Sequence, residues 1–147
     1  MKILIAVDGS PGANEAARIA EGLFPNDEHI LLSVASVAPF VVVDPLGGGG
    51  VGMLPSQTDY EAAEAKADGA VSTAQEQLHG EATSVTPLGS TGITICQEAL
   101  DLKVDVVVVG RGHKNWISRL FDPSVSDYVI RHATCPVLVV TEQQMPS

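Results

Sequence analysis

Asp105-Val106-Val107-Val108-Val109-Gly110 is the stretch on which the fold turns. Four successive valines leave no polar face, so both sides of this segment must be covered. A strand buried on both faces belongs to a parallel sheet with helices packed above and below it. The flanking chain supplies them. Ile3-Leu4-Ile5-Ala6-Val7 is another short apolar run, closed by Asp8. Ser10 then reads as a helix cap and Pro11 as the first helical residue. Ala13, Ala16, Ala17, Ala20, Leu23 and Phe24 follow at three- and four-residue spacing, and Pro25-Asn26-Asp27 ends that helix. His29 to Val37, rich in Leu and Val, reads as the next strand.

The pattern continues to the end of the chain. From 38 to 58 the texture is Gly- and Pro-rich, which predicts a long flexible loop, functional or mobile. Thr58 or Asp59 is then the expected cap of a helix whose stripe is Tyr60, Ala63, Ala67, Ala70, Val71, Ala74 and Leu78. Thr83 to Leu88 reads as a strand, and Gly89-Ser90-Thr91 leads into a helix through Ile95 and Ala99. Gly110 to Pro123 reads as irregular, Val125 to His132 as a short helix, and Val137 to Val140 as the last strand. Strands alternating with helices predict a doubly wound α/β domain over residues 1–147: a five-stranded parallel sheet with helices on both faces. Ligands of such sheets bind at the carboxyl ends of the strands.

Composition excludes several classes of partner. Among 147 residues, 45% are hydrophobic and 18% charged, enough for a sizeable core. The formal charge is −10, from 8 Lys and Arg against 18 Asp and Glu, which argues against nucleic acid and against an anionic membrane. No apolar run approaches the roughly 18 residues of a spanning helix, and Asp8 interrupts the first one too early for a signal peptide. Cys96 and Cys135 show no metal or redox spacing and sit in apolar surroundings, the pattern of inert reduced thiols. The expected address is the cytoplasm. Arg111, Lys114, Arg119 and Arg131 are half of all the cations, so residues 111–147 form a local basic stretch. Such a stretch either focuses an anion or is a solvated face.

Two motif matches fail on inspection. Gly47 to Gly52 satisfies G-x-G-x-x-G, but Met53-Leu54-Pro55 follows it, and Pro55 prevents a helix from running on to face a pyrophosphate. Asp8 ends the first strand as it would in a phosphoreceiver domain, but Pro87-Leu88-Gly89 stands where the phosphorylated Asp would be needed. Asp8 is then either a ligand-facing carboxylate or a turn aspartate bonded to the backbone ahead of the helix. Ser124-Val125-Ser126-Asp127 opens a helix beside an irregular loop, either a simple cap or an anion site built on backbone N–H groups and the helix dipole. There is no nucleophile elbow, carboxylate pair or metal cluster, so no catalytic residue and no metal site is assigned.

Four segments together resemble the universal stress protein family over nearly the whole chain. They are Ile3 to Ser10, Gly89 to Ile93, Asp105 to Gly110, and Ser124 to Val129 with Cys135 to Val140. The resemblance implies the five-stranded parallel fold of the adenine nucleotide alpha hydrolase-like group and a homodimer formed through Val137–Val140. The nucleotide-binding branch of that family carries G-x-x-G, nine residues, then G-[ST]. Counted from Gly110, those positions fall on His113, Pro123 and Ser124: the spacing is intact and two glycines are replaced. His113 adds a Cβ, Pro123 lacks an N–H, and Asp122 brings a negative charge to the phosphate end. Trp116 and Ser118-Arg119-Leu120 look more like the branch that does not retain ATP. The nucleotide-binding candidates carried over are Ala6, Asp8 (ribose), Val34 (adenine, through its backbone), Gly110, Gly112, Ser124, Val125 and Ser126. Arg111, His113 and Lys114 are candidates for holding an anion. What the resemblance implies is a stress-response binding or regulatory module with an altered phosphate loop, ATP-independent or weakly binding. The alternative is a true ATP- or AMP-binding stress protein, with or without magnesium and with at most slow nucleotide hydrolysis.

Overall fold

Ile3, Leu4 and Ile5 on one strand and Val107, Val108 and Val109 on another are completely inaccessible to solvent. They belong to β1 (Lys2–Ala6) and β6 (Val106–Arg111), neighbours paired in parallel with Ile3 opposite Val106 and Ile5 opposite Val108. The computed structural model describes residues 1–37, 40–42, 46–48, 51–111 and 123–141. Around β1 and β6 stand β2 (Glu28–Leu32), β5 (Thr83–Val85) and β7 (Val137–Thr141), giving the parallel order β5-β2-β1-β6-β7. The helices are α1 (Pro11–Leu23), α2 (Gln57–Gln75), α3 (Thr91–Asp101) and α4 (Pro123–His132). Helices α1 and α2 pack together, as do α3 and α4. The chain runs outward from β1 to β2 and β5, then returns to β6 and β7. Right-handed crossovers therefore place the two helix pairs on opposite faces. The strand order reverses between β1 and β6.

Helix α1 packs close because the face it buries is all alanine. Ala13, Ala16, Ala17 and Ala20 are at most 1% exposed. Its start is built as the Ser10-Pro11 pair predicts: Ser10 Oγ accepts the Ala13 N–H at 3.1 Å, with Pro11 in the first turn. Helix α2 begins earlier than expected. Ser56, not Thr58 or Asp59, is its cap, because Ser56 and Asp59 exchange bonds reciprocally: Ser56 N–H to Asp59 Oδ2 at 2.7 Å and Asp59 N–H to Ser56 Oγ at 3.3 Å. Ala67, Ala70, Val71 and Ala74 are its buried residues, while Tyr60 is exposed. A helix of 19 residues is about 28 Å long, against about 10–20 Å for strands of three to six residues. Its first turns overrun the sheet.

The structure redraws three other boundaries. Strands β2 and β5 end at Leu32 and Val85, short of Val37 and Leu88. Beyond those ends single bonds persist, Ala35 N–H to Pro87 O at 2.8 Å and Gly89 N–H to Ala35 O at 3.1 Å. Pro87 accepts but has no N–H to return, which interrupts the ladder. The 38–58 segment, read as loop, contains an antiparallel hairpin of β3 (Phe40–Val42) and β4 (Val51–Met53). Gly47 lies between them at φ +81, a conformation suited to glycine. Helix α4 starts at Pro123 rather than Val125, since proline fits the first helical position, where an N–H has no intrahelical partner.

The two outer helices meet through glycine. A Cβ on Gly92 of α3 would stand 2.9 Å from Cδ1 and 3.2 Å from Cβ of Tyr128 on α4. The Tyr128 ring is stacked on His132 with centroids 4.0 Å apart. Gly69 on α2, by contrast, has nothing within 4 Å of such a Cβ. Gly92→Ala is therefore expected to lower stability by about 1–3 kcal/mol through overpacking. Gly69→Ala should raise it by about 0.5–1 kcal/mol through helix propensity. Urea denaturation of both variants, read by circular dichroism, checks the opposite signs.

Candidate functional site

The crevice at the switch point is bounded by the carboxyl ends of β1, β2 and β6, the usual ligand position in such sheets. At the end of β1, Ala6 is buried and the Val7 N–H still reaches Leu32 O of β2 at 2.8 Å. Asp8 follows, only 7% exposed, with Oδ1 accepting the Ser10 N–H at 2.9 Å. Gly9 between them has φ +83, so the turn requires glycine on conformational grounds. One carboxylate oxygen thus sets the turn that starts α1, and the charge stands by the helix N-terminus, which favours an anion. The turn reading of Asp8 and the ligand reading draw on the same geometry.

At the end of β2, Val34 is buried, and so is the neighbouring Ser33, whose Oγ has no hydrogen-bond partner in the structure. Asn14 Oδ1 on α1 is likewise buried without a partner. Neither group stands out in the sequence, where a lone Ser or Asn amid apolar residues looks like many others. At the end of β6, Gly110 is buried, and a Cβ there would be 3.7 Å from Gly12 O in the first turn of α1. The close approach of β6 to α1 shapes the floor of the crevice.

Beyond the end of β6, Arg111 faces α4. Arg111 is exposed, and its Nη2 lies 3.8 Å from Oδ1 of Asp127 on α4. Ser124 is exposed, Val125 half-buried and Ser126 buried. Ala6, Asp8, Val34 and Gly110 therefore come together at the strand ends, with Arg111 at the rim. Gly112, His113, Lys114, Trp116, Ser118, Arg119, Leu120 and Asp122 lie outside the described residues. The Arg111–Asp127 pair was missed in the sequence, because the two residues are separated by a segment whose path has no regular period. Elsewhere, burial pushes the Cys96 and Cys135 thiols up, and the charge of Cys135 adds to the effect at Cys96. A raised thiol stays protonated and poorly nucleophilic, in keeping with inert cysteines.

Comparison with known proteins supplies the family. The universal stress protein family model matches residues 1–141. A universal stress protein of Methanocaldococcus jannaschii is 31% identical over 144 residues, covering 95% of this chain and 81% of that one. Among solved structures, a universal stress protein from Lactobacillus plantarum superposes with a TM-score of 0.67 at 22% identity, covering 95% of this chain and 97% of that chain. The universal stress protein from Archaeoglobus fulgidus in complex with dAMP gives a TM-score of 0.59 at 23% identity, with the same two coverages, 95% and 97%. With the order β5-β2-β1-β6-β7 and a crevice at the β1/β6 switch, this chain belongs to the universal stress protein family.

Proposed function

We propose that the chain is a stress-response binding module whose crevice takes the adenosine part of an adenine nucleotide and holds the polyphosphate weakly. The observation that carries this is the buried Asp8 carboxylate, fixed by Ser10 at the switch point between β1 and β6. A carboxylate held there accepts a bond from a sugar hydroxyl, and the buried backbone at Val34 suits the edge of a purine. The dAMP complex of the Archaeoglobus fulgidus relative supports the ligand class. Ala6, Gly110, Ser124, Val125 and Ser126 complete the proposed lining, and Gly112, Arg111, His113 and Lys114 the anion end. ATP or AMP is the ligand this arrangement favours. Magnesium would bind through the phosphates rather than through side chains of the crevice.

Pro123 favours a second reading, in which the protein works without nucleotide. As the first residue of α4 it removes one N–H from the helix end that would face a phosphate. On that reading the module acts through protein contacts. In either case β7 offers the means of self-association. It lies at the edge of the sheet, and Val137, Leu138 and Val139 are only half-buried in the single chain. We propose a homodimer through Val137–Val140, antiparallel across a twofold axis, which satisfies the open backbone edge. Two unbridged thiols agree with a reducing cytoplasmic location. Among the described residues, no helix is long and apolar enough to cross a membrane.

Three measurements test these proposals. Asp8→Asn keeps an acceptor for Ser10 but removes the charge, and should weaken adenosine binding by about ten- to a hundredfold with little loss of stability. Asp8→Ala should weaken binding equally and also lower the melting temperature. Calorimetry that detects no heat with millimolar adenosine or ATP on the unaltered protein sinks the nucleotide reading. Replacing His113 and Pro123 together by glycine should strengthen ATP binding over adenosine, and an unchanged ratio clears those two residues of disabling the pocket. Sedimentation at micromolar concentration should show a dimer that Val139→Lys converts to monomer. A monomer in both cases refutes the edge-strand interface.

A further inference from the structure

Arg111 is the last residue of β6, and its backbone is fixed at the rim of the crevice. Thr141 of β7 pairs with it on one side, and the Gly110 that precedes it is buried against the first turn of α1. Its guanidinium reaches across to α4, where Nη2 is 3.8 Å from Asp127 Oδ1, with the two side chains 45% and 48% exposed. At that separation the contact is ionic rather than a hydrogen bond. Half the surface of each group stays in water, so the pair is weakly held and responds to any better anion. A phosphate offers shorter, bidentate, charge-assisted bonds to a guanidinium. Asp127 also has somewhere to go: Arg131 stands one turn further along α4, in the favourable order of acid before base at i and i+4.

We infer that Asp127 is a resident competitor for the phosphate end of the crevice, occupying Arg111 until an incoming polyphosphate displaces it. Resting on the nucleotide reading above, this names the residue that sets how strongly the site responds to ligand charge. With the pair closed, the charge of Arg111 is offset by that of Asp127, on a chain that already carries −10. An uncharged nucleoside meets no barrier from the pair. A polyphosphate must exchange with Asp127 and also overcome its repulsion, so discrimination by charge is built into the contact.

The test uses the full chain and inorganic tripolyphosphate, which needs no adenine site. Asp127→Asn should bind tripolyphosphate about three- to tenfold more tightly than the unaltered protein at low salt, from loss of the competitor and of its repulsion. Rising ionic strength should shrink that gain. The gain must vanish when Arg111→Gln is added, because Asp127 acts through Arg111. Adenosine affinity should be the same in the unaltered protein and in Asp127→Asn. Equal tripolyphosphate affinity in the unaltered protein and Asp127→Asn overturns the inference, as does a gain that persists in the double variant. Absence of tripolyphosphate binding in every variant also overturns it. Adenosine binding, measured alongside, decides the nucleotide reading separately.

Discussion

The structure depends on one constraint: Val107, Val108 and Val109 of β6 and the Ile-Leu-Ile of β1 have no side that water can face. All six of these residues are fully buried, and at about 1.5–3 kcal/mol per large aliphatic side chain they supply a large share of the hydrophobic driving force. Two faces to cover means helices on both sides, and two helix pairs need a chain that changes direction partway through the sheet. That reversal opens a crevice beyond the carboxyl ends of β1 and β6. The crevice is thus a by-product of burying the central strands, and whatever residues stand at their carboxyl ends become its lining.

Asp8 illustrates how structure and site share residues. Its bond to the Ser10 N–H starts α1, and the same burial that fixes the carboxylate makes it useful to a ligand. At the opposite end of the crevice the design is looser. Arg111 and Asp127 meet with each side chain about half exposed, 45% and 48%. The proposed nucleoside end is thus well buried and the proposed phosphate end open to water.

Much of this was legible in the sequence because it rests on short-range chemistry. Val106 to Val109 announced a two-sided strand, and Ser10-Pro11 announced a helix start down to the side-chain cap. The Ser56 cap was misplaced because Thr58 and Asp59 are equally good capping types. Only the reciprocal bonds of Ser56 and Asp59 decide between them. The β3–β4 hairpin was hidden by the glycines and prolines around it, although Phe40 to Val42 and Val51 to Met53 hold the β-branched and large apolar residues that strands favour. Contacts across a long stretch of chain, such as Arg111 with Asp127, left no periodic trace. The family resemblance named the candidate residues, while the pairing of Arg111 with Asp127 had to be seen.

The two edges of the sheet are unequal. One is β5, three residues long and bearing Thr83 and Ser84. The other is β7, five residues long and almost wholly apolar. Among the described residues, the five-stranded sheet offers one long apolar edge for strand addition. In the proposed dimer, a second chain docking edge to edge would use up that edge of each sheet and close the pairing. A sheet with two edges like β7 would instead have polymerised without limit, so the brevity of β5 is a chain terminator written into the fold.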